Sequence, residues 1–122
     1  MKKIFLALII LHVLMEGLVG LFLMFAPSQI APNLEIQHMA FLITYGGAGV
    51  TMSVAVAWFW PQRNNPVVLT IFLGILASFH TAIAASGILI AVQGGGAQII
   101  ASHGAFAVCF WILWMKRSSL TA

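Results

Sequence analysis

Four apolar blocks, at residues 4–25, 38–60, 66–92 and 97–115, constrain this chain more than any other feature of its sequence. A helix needs about 20 apolar residues to cross the hydrocarbon core of a bilayer, and each block has about that length. Only 6% of the residues are charged, whereas an ordinary soluble domain has about a quarter. The sequence therefore predicts an all-α membrane protein, a bundle of four transmembrane helices that forms a single domain over residues 1–122.

Short polar segments separate the four blocks and indicate where the helices end. Pro27 is expected to end the first helix, because proline cannot continue the helical hydrogen bonds. A polar turn at 62–65 follows the second helix, and Pro66 suits the first turn of the third. The glycine triplet at 94–96 is expected to form the last turn, because it lacks the Lys-Ser/Thr pair of a phosphate-binding loop.

The basic residues predict the orientation of the helices in the membrane. They lie at the chain ends and between the second and third helices, as Lys2, Lys3, Arg63, Lys116 and Arg117. With four crossings these positions fall on one side, and cytoplasmic segments carry the excess of Lys and Arg. The four tryptophans lie at the same predicted boundary, which indole rings prefer. We therefore predict a multi-pass protein of the bacterial inner membrane with cytoplasmic N and C termini. Its scattered charge does not predict a nucleic-acid partner.

Ionisable residues interrupt the otherwise apolar helices, and they define the candidate site. Four residues separate His12 from Glu16, so the two share one face of a helix. A rise of about 1.5 Å per residue places Glu16, His80, His103 and Tyr45 within about 6 Å of the membrane midplane, on its outer side. We therefore predict a polar layer of these four residues in the outer half of the bundle, with His12 on its inner side.

Small residues predict close helix packing near this layer. Gly46, Gly49 and Ser53 recur at helical spacing on the second helix, and small residues let membrane helices approach closely. Gly17 and Gly20 flank Glu16 on the first helix and are expected to leave space beside it. A pocket that opens toward the outer leaflet follows as a hypothesis.

Each residue of the layer has a structural alternative. Glu16 is either a functional acid or a protonated carboxyl that only fixes helix packing, and we favour function because intramembrane acids are usually functional. His80 and His103 fit ligands, proton carriers or structural histidines equally well. His12 is expected to be a structural partner of Glu16. Tyr45 is as suitable for a packing ring as for a hydrogen-bond donor.

The residue types of the layer indicate which cofactors it could hold. Imidazoles and a carboxylate suit a borderline transition metal, with His80, His103 and Glu16 as candidate metal ligands. Two imidazoles on different helices could hold a haem or another porphyrin, and an acid with a histidine could hold a quinone head group. Tyr45 and His12 complete the candidate cofactor-binding residues. The sequence has no CxxCH motif and no Ser-His-Asp arrangement, so we expect no catalytic activity of its own.

Three short motifs are found in the second and third apolar blocks and the turn between them: Tyr45-Gly46-Gly47, Trp60-Pro61-x-Arg63 and Ala77-Ser78-Phe79-His80. With these motifs the chain resembles, over nearly its whole length, the DoxX-like group of small four-helix bacterial membrane proteins. This resemblance implies a link to membrane redox systems and quinones. Glu16 in the first of four helices also resembles the small multidrug resistance transporters, whose helix-1 glutamate exchanges protons for cationic drugs. The basic asymmetry and the midplane histidines depart from that second pattern.

Three functions follow from these observations. The first is an accessory or ligand-binding subunit of a membrane complex, with a redox complex as the favoured case. Its partners would be membrane lipid and either other membrane subunits or further copies in a homo-oligomer. The second is a proton-coupled small-molecule transporter that uses Glu16. The third is a scaffold protein whose polar layer only fixes helix packing.

Overall fold

A computed structural model describes residues 1–30, 35–91 and 97–121, and these residues form only helices and the turns between them. Four of the helices are long and apolar enough to cross a membrane, over Lys2–Phe25, His38–Gln62, Pro66–Ile88 and Ala97–Met115. The predicted all-α class and the four helices of spanning length are therefore confirmed. The bundle arrangement, the single domain and the cytoplasmic termini stay predictions.

The helix bounds lie close to the predicted ones. Helix α1, Lys2–Phe25, consists of an α-helical part (Lys2–His12), a π-helical part (Val13–Val19) and a second α-helical part (Gly20–Phe25). Helices α2, α3 and α4 span Ile36–Phe59, Pro66–Ala91 and Ala97–Met115. Short helices follow at Pro27–Ile30, Trp60–Gln62 and Ser118–Thr121. The predicted glycine turn at 94–96, the loop residues 31–34 and the predicted end of the third helix at 92 lie outside the described residues.

The end of α1 and the start of α3 are each explained by the residues beside them. Helix α1 ends at Phe25 because Ala26 leaves the helical conformation, with φ −139° and ψ 44°, and Pro27 follows it. Helix α3 begins at Pro66. Before it, the side-chain oxygen of Asn65 accepts hydrogen bonds from the backbone N–H groups of Val67 and Val68, at 3.0 and 3.3 Å. Asn65 thus caps α3, since these N–H groups have no acceptor inside the helix.

The helices form two compact units. The first unit is Ile9–Trp60, and in it the π-helical part and the last turns of α1 pack on α2. The second unit consists of Met1–Leu8 and Pro61–Ala122, and in it α3 packs along α4. Each unit is therefore built on a pair of helices that follow one another in the sequence.

In the first unit α1 and α2 cross at glycines. A methyl group added at Gly20 would lie 2.7 Å from the carbonyl oxygen of Gly46, and one added at Gly46 would lie 2.6 Å from the carbonyl oxygen of Gly20. Nearer the centre of α1, a methyl group at Gly17 would lie 3.3 Å from the hydroxyl oxygen of Ser53. The predicted small-residue face of the second helix is thus confirmed as a close helix contact.

In the second unit the contact between α3 and α4 is apolar with a few polar bonds. The leucines at 69, 73 and 76 of α3 and Phe110 and Leu113 of α4 are almost completely buried. The indole N–H of Trp111 donates a hydrogen bond of 3.1 Å to the hydroxyl of Thr81, which joins the two helices. The rows of buried residues on α3 and α4 place His80 and His103 in the helix contact.

Large apolar side chains also cover the outward faces of the helices. Phe41 is 67% exposed, Trp58 80% and Ile71 59%. Water would oppose so much exposed apolar surface, whereas hydrocarbon does not. The exposed faces therefore agree with the four helices of membrane-spanning length.

Candidate functional site

His80 on α3 and His103 on α4, here called the histidine pair, contact each other directly in the second unit. Their Nδ1 atoms lie 3.0 Å apart, a hydrogen bond in which one ring donates and the other accepts. His80 is fully buried and His103 is 6% exposed. The sequence placed both residues at a similar membrane depth, and the structure brings them together. Their role as ligands stays a prediction.

Core spacing explains why these two histidines face inward. On α3, His80 follows the buried Leu76 and Ala77 by four and three residues, which is the spacing of one helix face. On α4, His103 precedes the buried Ala107 and Phe110 by four and seven residues. Both imidazoles therefore occupy positions at which the pattern of the helix pair calls for an apolar side chain.

Aromatic rings hold the imidazole of His80 in place. Phe106 and Phe110 stack on it, with ring centroids at 4.9 and 5.5 Å and planes tilted by 15° in both cases. Phe79 meets the ring edge-on at 5.3 Å. These contacts of the phenylalanines were not predicted from the sequence. The spacing of Phe106 and Phe110, three and seven residues after His103, was the signal that could have assigned them to the pair.

Glu16 lies in the π-helical part of α1 and is 3% exposed. A methyl group at Gly49 of α2 would lie 2.9 Å from Oε2 of Glu16 and 3.0 Å from its backbone carbonyl oxygen, so glycine at this position lets the Glu16 side chain pack closely against α2. We expected Gly17 and Gly20 to leave space beside Glu16. Instead, Gly17 faces Ser53 and Gly20 faces the backbone of α2. These two glycines serve the helix crossing, and Gly49 accommodates the carboxyl group.

The π-helical conformation around Glu16 was not predicted from the sequence. Residues Val13–Val19 form this part, and regular α-helix resumes at Gly20, whose N–H donates to the carbonyls of Glu16 and Gly17. Short π-helical parts inside α-helices are rare and occur frequently at functional sites. Val13–Val19 contains no proline, and its one glycine, Gly17, is also common in regular membrane helices, so neither indicated the change.

His12 and Tyr45 join Glu16 in the first unit, and we call these three residues the glutamate group. His12 is fully buried. One of its ring nitrogens lies within 4.8 Å of a carboxylate oxygen of Glu16. Their spacing of four residues predicted this proximity. Tyr45 is half-buried, one turn from Gly49 on α2, and close enough to Glu16 for electrostatic interaction. That the glutamate group and the histidine pair share one layer stays a prediction.

Comparisons of this chain with protein-family models, with curated proteins and with solved structures find no match. The resemblance to the DoxX-like group and that to the small multidrug resistance transporters therefore stay expectations. The chemistry of the histidine pair and of the glutamate group is the basis for a functional proposal.

Proposed function

We propose that this chain is a ligand-binding accessory subunit of a membrane complex, with the histidine pair at the centre of its ligand site. The observation behind this proposal is the direct contact of two buried imidazoles from different helices. Leucines at these two core positions would pack the helices without taking polar nitrogens out of water, which is unfavourable unless they are bonded. The hydrogen bond between the two rings offsets this cost, and a ligand bound by both rings is the functional reason that we propose for imidazoles at these positions.

The distance within the pair favours one kind of ligand. Imidazole nitrogens bind transition metals at about 2.0–2.1 Å, so two nitrogens on opposite sides of one metal are about 4 Å apart. Nitrogens in adjacent coordination positions are about 2.9–3.4 Å apart. The observed 3.0 Å fits adjacent positions. The pair therefore favours a transition-metal ion over a haem held between the two rings. A quinone carbonyl, which would accept an imidazole N–H, is the alternative ligand.

We further propose that the protein lies in the bacterial inner membrane and assembles with other membrane subunits. The five basic residues at helix ends support cytoplasmic termini in the bacterial inner membrane, because such residues concentrate on the cytoplasmic side. The exposed apolar faces of the chain fit other membrane subunits or a second copy as well as lipid. We therefore favour an accessory role in a larger assembly, with a redox complex as the first case to test.

The test is the ligand content of the full chain purified in mild detergent. We expect about one transition-metal ion per chain by elemental mass spectrometry. Replacing His80 or His103 by alanine should lower metal occupancy at limiting metal concentration at least tenfold, because each change removes a ligand. His38→Ala is the matched control, since His38 is exposed on α2 and should leave the metal content unchanged.

Two further outcomes decide between the alternatives. In the first outcome, the purified protein contains no metal but releases a quinone on extraction, and both His80→Ala and His103→Ala abolish quinone binding. This result would support a ligand site at the histidine pair and would exclude a metal as its ligand. A colourless protein without metal or quinone, whose histidine variants assemble normally, would contradict the proposal and favour the scaffold hypothesis.

Proton-coupled transport through Glu16 is a second candidate function. The observation in its favour is a buried carboxyl group in a π-helical part of a helix long and apolar enough to cross a membrane. A carboxyl group inside a membrane can gain and lose a proton as a cationic substrate leaves and enters. Gly49 provides space for the side chain on α2.

Glu16→Gln is expected to reduce transport to the level of empty vesicles, because the amide keeps the shape of the carboxyl group but cannot release a proton. Uptake of a cationic dye into proteoliposomes with an imposed pH gradient measures this loss. Glu35→Gln is the control, because Glu35 is the only other acid of the chain and is exposed before α2. Equal uptake by Glu16→Gln and the unmodified protein would exclude this function.

A further inference from the structure

A cavity of about 310 Å³ lies in the second unit, away from the histidine pair. The first turn of α3, the end of α4 and the segment after α4 line it. Its lining residues include Leu69, Thr70, Met115, Arg117, Ser118 and Thr121. Thr70 precedes His80 by ten residues, or about 15 Å along α3. The cavity therefore lies at the end of two membrane-spanning helices, and the function proposed above does not involve it.

Arg117 gives this cavity a fixed positive charge. Its guanidinium lies 4.5 Å from the centroid of the Trp114 ring, and its Nη1 donates a hydrogen bond of 2.7 Å to the carbonyl oxygen of Trp114. Stacking on an indole restricts the plane of a guanidinium, which has five N–H donors in all. The chain's two acids, Glu16 and Glu35, do not line the cavity. The donors that Trp114 does not use are therefore available to an anion from outside the described residues.

The other walls combine hydroxyl groups with apolar surface. Thr70, Ser118 and Thr121 provide hydroxyls, and Leu69 and Met115 provide apolar walls. Met115 is 64% exposed at the end of α4, the last residue of a helix of membrane-spanning length. Trp114 lies in the last turn of the same helix, and tryptophan concentrates at the boundary between membrane and water. A pocket that combines hydroxyl groups and a guanidinium with a larger apolar surface suits a molecule that has an anionic head and an apolar tail.

We propose that this cavity binds the phosphate group of an anionic phospholipid and that Arg117 recognises that phosphate. The planar fork of a guanidinium matches two phosphate oxygens at once, which the ammonium of a lysine does not. Lys116 is exposed beside Arg117 and does not line the cavity. A membrane lipid is favoured over free phosphate because the pocket lies at the ends of two helices of membrane-spanning length and has Met115 among its apolar residues.

Retention of phosphatidylglycerol by the full chain tests this proposal. The protein is reconstituted with phosphatidylcholine and phosphatidylglycerol, extracted in mild detergent and analysed for bound lipid by native mass spectrometry. We expect selective retention of phosphatidylglycerol. Arg117→Gln should lower it about twentyfold or more, because it removes both a charge near the head groups, which contributes about fivefold, and the two-point contact of the guanidinium with the phosphate. Lys116→Gln removes the same charge one residue away, outside the cavity, and should lower retention by about fivefold at most.

Two more variants separate the cavity from its charge. Arg117→Lys keeps the charge but loses the planar fork, so its retention should fall between those of the unmodified protein and Arg117→Gln. Thr121→Trp fills the cavity without changing any charge and should also lower retention. Circular dichroism and the unfolding midpoint establish that each variant is folded.

Three results would overturn the proposal. The first is an equal loss of phosphatidylglycerol in Arg117→Gln and Lys116→Gln, which would indicate general surface charge. The second is retention without preference for the anionic lipid. The third is displacement of the lipid by millimolar inorganic phosphate, which would show that the cavity takes free phosphate instead.

Discussion

Gly46→Ala is expected to destabilise the protein by about 3 kcal/mol, because overpacking of this severity costs about 1–3 kcal/mol and occasionally more. The new methyl group would lie 2.6 Å from the carbonyl oxygen of Gly20 and 2.9 Å from the Cβ atom of Leu23. Neither atom can move aside by a change of rotamer, since one belongs to the backbone and the other is fixed to it. Helices α1 and α2 would have to separate, and the contacts along their crossing would weaken. Gly20→Ala should have a similar effect for the same reason.

Gly47→Ala is the matched control for this experiment. A methyl group at Gly47 would meet no atom of the described residues within 4 Å. Alanine is also a better helix former than glycine by about 1 kcal/mol, so stability should stay the same or rise slightly. The free energy of unfolding, measured by circular dichroism in mixed micelles with increasing denaturing detergent, compares the two variants. Equal curves for Gly46→Ala and Gly47→Ala would contradict the glycine crossing.

We expect the two residues of the histidine pair to be coupled, so that replacing both destabilises the protein less than the sum of the two single replacements. His80→Leu removes the hydrogen bond to His103 and the stacking on Phe106 and Phe110. The buried nitrogen of His103 then lacks this bond, and such a loss costs about 1–3 kcal/mol. His103→Leu has the same consequence for His80. In the double variant neither nitrogen remains, so the double loss should be smaller than the sum of the single losses by about 1–2 kcal/mol.

The control is the same comparison of two single variants and their double variant, made with His38→Leu and His103→Leu. His38 is exposed at the start of α2, so its replacement should add to that of His103 without coupling. Additive effects of His80→Leu and His103→Leu would contradict the hydrogen bond between them. The double leucine variant also separates packing from binding. If the proposed function is right, this variant is folded and contains neither metal nor quinone.

Much of the fold could be predicted from the sequence because its signals are strong and local. Each apolar block is long enough to cross a bilayer as a helix, and a helix satisfies all of its backbone hydrogen bonds within the segment, as hydrocarbon requires. The boundaries at Pro27 and Pro66 followed from the chemistry of proline, and both agree with the observed helix ends. The contact of His80 with His103 followed in part from their similar depth, because residue number converts to distance along a helix.

The remaining features depend on contacts between distant parts of the chain. The sequence of α1 suggested that its own glycines, Gly17 and Gly20, leave space beside Glu16. The glycine that faces Glu16 is Gly49 of α2, and the sequence alone does not show which residue of a second helix lies there. The stacking of Phe106 on His80 likewise needs both helices to be in place. Arg117 was assigned to membrane orientation alone, because its cavity forms only when α3, α4 and the final residues come together.

The π-helical part Val13–Val19 makes α1 sensitive to insertions and deletions. Each residue turns a helix by roughly 100°, so removing one residue between Glu16 and Gly20 would rotate the helix before the deletion relative to the helix after it. Gly20 and Glu16 both face fixed partners on α2, at Gly46 and Gly49. A shorter α1 could keep one of these contacts but would turn the other toward lipid. Changes of side chain are thus tolerable on the outward face of α1, whereas its length between these two contacts is fixed.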